Sequence, residues 1–178
     1  KWEKEIKDKP YLKQPIGEQW EEYTWGQVGD MARRLASGLK SLNLREGAHI
    51  GIYSKNCREW IISDLAIVMA GYVSVPFFPS LNGKELAYIM DYGDVDALFL
   101  GKIETWDDIK NDLPKDMPMI TFPNYAGCSN VDIGHRWHEF IDKHEPITNP
   151  HNPKLSDLWS IIFASGTTGN PKGVMLTY

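Results

Sequence analysis

The sequence has 178 residues, 42% of them apolar and seven of them tryptophan, which excludes disorder and fits one domain or one lobe of a larger one. Charge is mixed and slightly acidic, 19 Lys and Arg against 24 Asp and Glu, with no basic stripe, so no nucleic-acid partner is expected. The longest apolar stretch, Trp60 to Val75, is broken by Asp64 and Gly71 and stops at Pro76, too short and too polar for a transmembrane segment; peripheral contact with a membrane stays open.

Two cysteines, Cys57 and Cys128, form neither a disulfide framework nor a zinc pattern, so they read as free thiols and the expected location is cytoplasmic. The chain opens on Lys1 and stops at Tyr178 inside an apolar run; both read as boundaries within a longer protein.

In chain order, residues 1–22 are polar, interrupted by Pro10 and Pro15, and read as an extended or loosely packed lead-in. Thr24 with Gln27 has the spacing of a capping box, and Val28, Met31, Ala32, Leu35, Leu39 and Leu42 follow on one face, predicting a helix to about Leu42 with Arg33, Arg34 and Lys40 outward. His49 to Tyr53 reads as a strand. Asn56 with Glu59 repeats the capping spacing and predicts a second helix, about 57–70, apolar on most sides and therefore sandwiched between layers. Tyr72 to Phe78 is a predicted strand, and Asn82 with Glu85 predicts a third cap, opening a helix through Leu86, Ile89 and Met90 to Gly93.

Asp96 to Leu100 and Pro118 to Phe122 read as strands, with a short helix over Thr105 to Asp112 between them. A helix over Arg136 to His144 is expected to turn Trp137, Phe140 and Ile141 inward. The Pro- and Asn-rich stretch from Pro146 to Pro153 is a surface loop. Asp157 to Phe163 is a strong strand, and Val174 to Leu176 another. Alternating helices and strands predict a layered α/β fold, a mostly parallel, doubly wound sheet flanked by helices.

Between the last two strands lies the segment that carries chemistry: Ala164, then Ser165, Gly166, Thr167, Thr168, Gly169, Asn170, Pro171, Lys172 and Gly173. Glycines let a backbone approach a ligand closely, successive amides can form an anion-binding nest, the hydroxyls of Ser165, Thr167 and Thr168 add donors, and Lys172 adds a point charge suited to phosphate. It is not a Walker A loop, since Lys172 follows a proline and precedes a glycine, and no G-x-G-x-x-G occurs in the chain.

The string Ser165 to Gly173 resembles the signature loop of the AMP-forming adenylating enzymes, which include acyl-CoA synthetases, peptide-synthetase adenylation domains and firefly-type luciferases. The run Ala70 to Pro76 with Pro79, Glu85-Leu86 and Tyr88-Ile89 resembles the region upstream of that loop, and Asn56 with Glu59-Trp60 resembles a helix opening in the same enzymes. The resemblance extends from about Tyr23 to Leu176, and its texture is nearest to fatty acyl-CoA synthetases. Two positions depart from the pattern: Ala164 stands where many members carry Ser or Thr, and Tyr178 where acyl-CoA synthetases often carry His.

The resemblance implies that residues 1–178 form the first part of the large N-terminal domain of such a ligase, ending just after the phosphate-binding loop. It implies ATP, Mg²⁺ and coenzyme A, with a carboxylic acid, a fatty acid by texture, activated as acyl-AMP and passed to the thiol. In that reading Ser165 to Gly173 bind the nucleotide phosphates, Lys172 is catalytic and the Ser165 hydroxyl is a magnesium ligand. Residues 1–178 by themselves are expected to be inactive, and either to self-associate through the unpaired edge of the strand Val174 to Leu176 or to fray after Lys172. Two alternatives are a non-catalytic lobe that binds nucleotide or protein, and an adenylation domain that loads a carrier-protein thiol.

Other residues carry plainer readings. His135, His138 and Glu139 sit on the polar flank of a helix and read as a solvated face rather than a metal site. Cys57 reads as a structural thiol, Asp64 as a hydrogen-bond partner for a nearby cap or loop, and Tyr72, Phe77 and Phe78 as core before acyl channel.

Overall fold

The computed structural model describes residues 1–164 and 171–178. Helix α1 (Trp2–Glu5) leads into a two-stranded antiparallel ribbon of β1 (Pro10–Ile16) and β2 (Gln19–Thr24). The chain continues through α2 (Trp25–Ser41), β3 (His49–Tyr53), α3 (Arg58–Ala70), β4 (Val73–Phe77), α4 (Gly83–Tyr92), β5 (Val95–Leu100), α5 (Trp106–Ile109), β6 (Met119–Thr121), β7 (His135–Arg136), α6 (Trp137–Asp142), β8 (Leu158–Ala164) and β9 (Lys172–Thr177). Seven strands form one sheet in the order β7-β6-β5-β3-β4-β8-β9, parallel throughout except for the antiparallel pair β8–β9. From β3 the chain steps one way to β4, then crosses back to lay β5, β6 and β7 on the other side, so the sheet is doubly wound as the alternation of elements predicts.

Strand alternation splits the core in two. Ile50, Ile52, Ala97 and Phe99 face a layer of α2, α3 and α6, where Leu35, Leu39, Ile62, Ile67 and Trp137 are buried. Val75, Phe77, Leu98 and Leu100 face the opposite layer of α4 and α5, with Leu86, Met90 and Ile109. Each large side chain that is fully removed from water here contributes about 1.5–3 kcal/mol. α3 differs from the expectation of a helix sandwiched between layers: its buried residues, Glu59, Ile62, Ser63, Ala66, Ile67 and Ala70, recur at helical spacing on one face, and the rest of the helix is half-buried.

Local capping sets two helix starts. The Thr24 hydroxyl accepts from Gln27 N–H at 3.2 Å while Gln27 Oε1 accepts from Thr24 N–H at 2.8 Å, and Asn82 with Glu85 repeats the arrangement for α4. The third expected capping box, Asn56 with Glu59, does not form. Cys57 is the N-cap and makes no side-chain cap bond. The Glu59 carboxylate is turned into the protein instead, where it accepts from the Tyr125 hydroxyl at 2.5 Å and from Arg58 Nε at 3.0 Å. Gln14 Oε1 accepts from the Arg58 amide, so a side chain of the ribbon does part of the capping.

The first residues also differ from expectation, because they are built and fastened rather than loosely packed. Tyr11 stacks on Trp25 with centroids 3.8 Å apart, and Glu3 takes both guanidinium nitrogens of Arg33 at 2.7 and 2.9 Å. A Cβ at Gly29 would lie 2.3 Å from the Glu3 carboxylate, so that glycine is what allows the approach. Arg33 and Arg34 are therefore half-buried in pairs, not simply outward; Arg34 bonds Asp30 and the His144 carbonyl. A ribbon of only two strands tolerates Pro10 and Pro15, since each strand keeps one unpaired side.

Candidate functional site

β8 is consecutive with β9, and the two pair antiparallel until Phe163 meets Gly173 and Ala164 meets Lys172. The connection between them therefore springs from the carboxyl end of β8, on the edge of the sheet where α/β proteins place their ligands. Ser165, Gly166, Thr167, Thr168, Gly169 and Asn170, including the Ser165 hydroxyl expected at a magnesium ion, lie outside the described residues. Pro171, Lys172 and Gly173 are described. Lys172 is the first residue of β9 and is exposed at the loop's exit. Gly173 has a packing role: a Cβ there would come within 2.9 Å of Ile161 Cγ2 and 3.1 Å of Phe163 Cε1. Phe163 in turn packs under Gly93 and edge-on to Tyr92, tying the end of β8 to the end of α4.

Beside the loop's two anchors, Ala164 and Pro171, is a cavity of about 330 Å³ bounded by residues 77–81 and α4. Tyr53 positions this boundary from below, its buried hydroxyl reaching the carbonyls of Leu81 at 2.8 Å and Pro79 at 3.2 Å. Burial pushes that phenol's pKa up, so it stays a donor. The aromatic cluster read as core divides here. Tyr72 and Phe77 are buried, whereas Phe78 is 58% exposed and lines the cavity with Tyr88. Alternation puts Phe77 inward at the strand's end, and Phe78, just beyond it, lies outside the sheet.

The remaining candidates are kept apart from the loop. Cys57 is buried, and burial together with the Glu59 charge pushes its thiol up to about 11, the reverse of an activated nucleophile. The His135 ring packs on Phe140 at 4.9 Å, and among the described residues no group of three or more His, Cys, Asp or Glu could hold a metal. No described helix is long and apolar enough to cross a membrane. Asp64 does have a partner, but on a strand rather than a cap or loop: its Oδ2 accepts from the Trp159 indole N–H of β8 at 3.3 Å. That link joins elements 95 residues apart and has no local sequence signature.

The whole chain, residues 1–178, matches the family model described as AMP-binding enzyme. Long chain acyl-CoA synthetase 5 of Arabidopsis thaliana is 30% identical over 169 residues, covering 86% of this chain and 25% of that protein. The long-chain-fatty-acid–CoA ligase ACSBG2 of Rattus norvegicus is 27% identical, covering 95% and 27%. The chain thus spans about a quarter of the length of the curated relatives it matches. Among solved structures, the anthranilate CoA ligase AuaEII in complex with anthranoyl-AMP superimposes with a TM-score of 0.79 at 23% identity, over 97% of this chain and 32% of that one. An acyl-CoA synthetase of Brucella canis superimposes equally well, 0.79 at 18% identity over 96% and 31%. At such identities the structures speak for the fold, and the family match carries the assignment: the chain belongs to the AMP-binding enzyme family.

Proposed function

We propose that this chain supplies the phosphate-binding part of an ATP-dependent acid–thiol ligase, an acyl-CoA synthetase whose acid is a fatty acid. One observation carries the reading: the string Ser165 to Gly173 is mounted at the carboxyl end of β8, with Lys172 exposed at its exit. The long-chain acyl-CoA synthetases among its relatives support the choice of acid. Residues 1–178 act in this reading as the N-terminal subdomain of the ligase domain, the cavity beside Ala164 opening next to the loop.

The chemistry follows from charge. A carboxylate is a poor electrophile because its negative charge is delocalised. Attack of its oxygen on the α-phosphorus of ATP forms the acyl–phosphate bond and expels pyrophosphate, and a thiol, that of coenzyme A, then displaces AMP. Charge accumulates on the departing β- and γ-phosphate oxygens. The Lys172 ammonium, the hydroxyls of Ser165, Thr167 and Thr168, and the amides of Gly166 and Gly169 to Gly173 (Pro171 excepted) are the donors that hold it. Mg²⁺ bound to the nucleotide phosphates would share that charge, with the Ser165 hydroxyl as its proposed protein ligand. Free thiols at Cys57 and Cys128 support a reducing, cytoplasmic location.

The test is pyrophosphate–ATP exchange by the intact protein with acids of graded chain length. Exchange that requires a carboxylate and is strongest with a fatty acid is expected. ATP binding without acid-dependent exchange would contradict the proposal and point to a nucleotide-binding lobe.

A further inference from the structure

β8 carries the loop, and although it runs close alongside β4 its ladder register there is short. β3 is registered residue by residue against both β4 and β5, whereas β4 and β8 share a single registered pair, Ser74 with Ser160. Part of the reason lies in β4, where Pro76 has no N–H to offer. Side chains that reach from β8 to the helices add to what fixes it along its length.

The side chain placed to do so is Trp159. Leu158 pairs with Thr177 and Ser160 with Leu176, so Trp159 is the extra residue of a β-bulge. Regular alternation would send it to the α4 side with Ile161 and Phe163. It instead meets α3, where its indole N–H donates to Asp64 Oδ2 at 3.3 Å. The Tyr178 ring, at the far end of β9, lies 6.1 Å from the Trp159 ring. Ser74 lies beside the same carboxylate; its hydroxyl is buried and reaches no partner in good geometry, yet it and the Trp159 N–H both favour the ionised form of Asp64. Burial outweighs them and raises the Asp64 pKa. The clasp therefore keeps a carboxyl group in a place that disfavours its charge, where a leucine would pack at no electrostatic cost.

We propose that Asp64 is a positioning residue: through the bulged Trp159 it fixes β8 against α3 and so aims the glycine loop that begins beyond Ala164. This deepens the ligase reading and rests on it for its catalytic consequence. Misplacement of about 1 Å at a reacting centre costs as much as 10²-fold in rate, and Trp159 stands five residues before the end of β8, about 17 Å at strand rise.

The experiment uses Asp64→Leu, Asp64→Asn and Trp159→Phe in the intact protein. Pyrophosphate exchange should lose about 10- to 10²-fold in kcat/KM for ATP with Asp64→Leu and Trp159→Phe, with KM for the acid changed less than threefold. Asn keeps an acceptor for the indole, so Asp64→Asn should stay within about threefold of wild type. Amide exchange of Ile161 to Ala164 should accelerate about tenfold or more in Asp64→Leu and Trp159→Phe but not in Asp64→Asn, with Ile50 to Tyr53 unchanged. Unaltered exchange in β8, or equal damage from Asn and Leu, overturns the proposal. Because the amide measurement needs no catalysis, a wild type without acid-dependent pyrophosphate exchange would sink the ligase reading and leave the clasp to be judged on its own. If Asp64→Leu does not fold, Trp159→Phe against Asp64→Asn draws the same distinction.

Discussion

The body of the sheet and its loop-bearing hairpin are held by different means. In the body, β3 is locked between β4 and β5 by parallel ladders along its whole length, the one with β5 shifting register once between His49 and Ile50, and helices cover both faces. The hairpin of β8 and β9 is well paired within itself but registers against β4 at one pair, while Trp159 bonds Asp64 of α3 and Phe163 packs edge-on to Tyr92 of α4. Its outer strand leaves Val174 50% and Met175 67% exposed. The difference teaches that stability and aim are separable here. Damage to the body should unfold the molecule, whereas damage at the hairpin should misdirect the loop while leaving the fold standing.

The largest effect expected on stability lies in the body. Glu59 is 1% exposed and holds both Tyr125 and Arg58. Burial alone would lower the Arg58 pKa, but its bonds to Glu21 and Glu59 outweigh that and raise it, so the guanidinium stays charged. Glu59→Ala leaves a buried phenol and a nearly buried cation short of a partner. Urea unfolding should show a loss of about 3–5 kcal/mol; a loss under 1 kcal/mol would mean that the network relaxes into water.

A smaller effect is set by pH. Cys57 is 8% exposed, and burial first, then the Glu59 charge, pushes its thiol from 9.0 to about 11. A pKa raised on folding means that the stability it represents is complete below the unfolded value and is lost as pH rises through the folded one. Stability should therefore fall between about pH 9 and 11, by on the order of 2 kcal/mol more in wild type than in Cys57→Ala. Parallel urea midpoints for the two proteins across that window would remove Cys57 as the cause.

The smallest effect belongs to the hairpin. Met175→Lys places a charge where the side chain already meets solvent, and should change stability by no more than about 0.5 kcal/mol. Charge on an open strand edge also opposes edge-to-edge pairing. Light scattering of residues 1–178 should show less self-association in this variant. A loss of 2 kcal/mol or more would mean that β9 supports the fold as the body does.

What was legible in the sequence follows the same division. The capping boxes at Thr24 and Asn82 were readable because each closes within three residues, and the period of Val28 to Leu39 exposed the buried face of α2. The same spacing misled at Asn56, because Tyr125, 66 residues away, claims the Glu59 carboxylate. The ribbon in residues 1–22 was hidden by polar strands that bury little, Gln14 alone among them being buried. At the site, the phosphate reading proposed for the residue string rests on its glycines, hydroxyls and lysine, all of which are visible in the sequence. The fastening of that loop was not legible, since Asp64 meets Trp159 only through a bulge whose register depends on β9.

The central claim is that the segment from Ser165 to Gly173 holds the phosphates expelled during acyl-adenylate formation, and Lys172 tests it most directly. It stands exposed at the start of β9, paired through its backbone with Ala164, so removing its side chain should spare the fold. Lys172→Ala in the intact protein should slow fatty-acid-dependent pyrophosphate–ATP exchange by about 10²–10³, the typical cost of losing one donor to developing charge. A change smaller than about threefold, with unfolding unaltered, would make Lys172 a surface lysine and contradict the account.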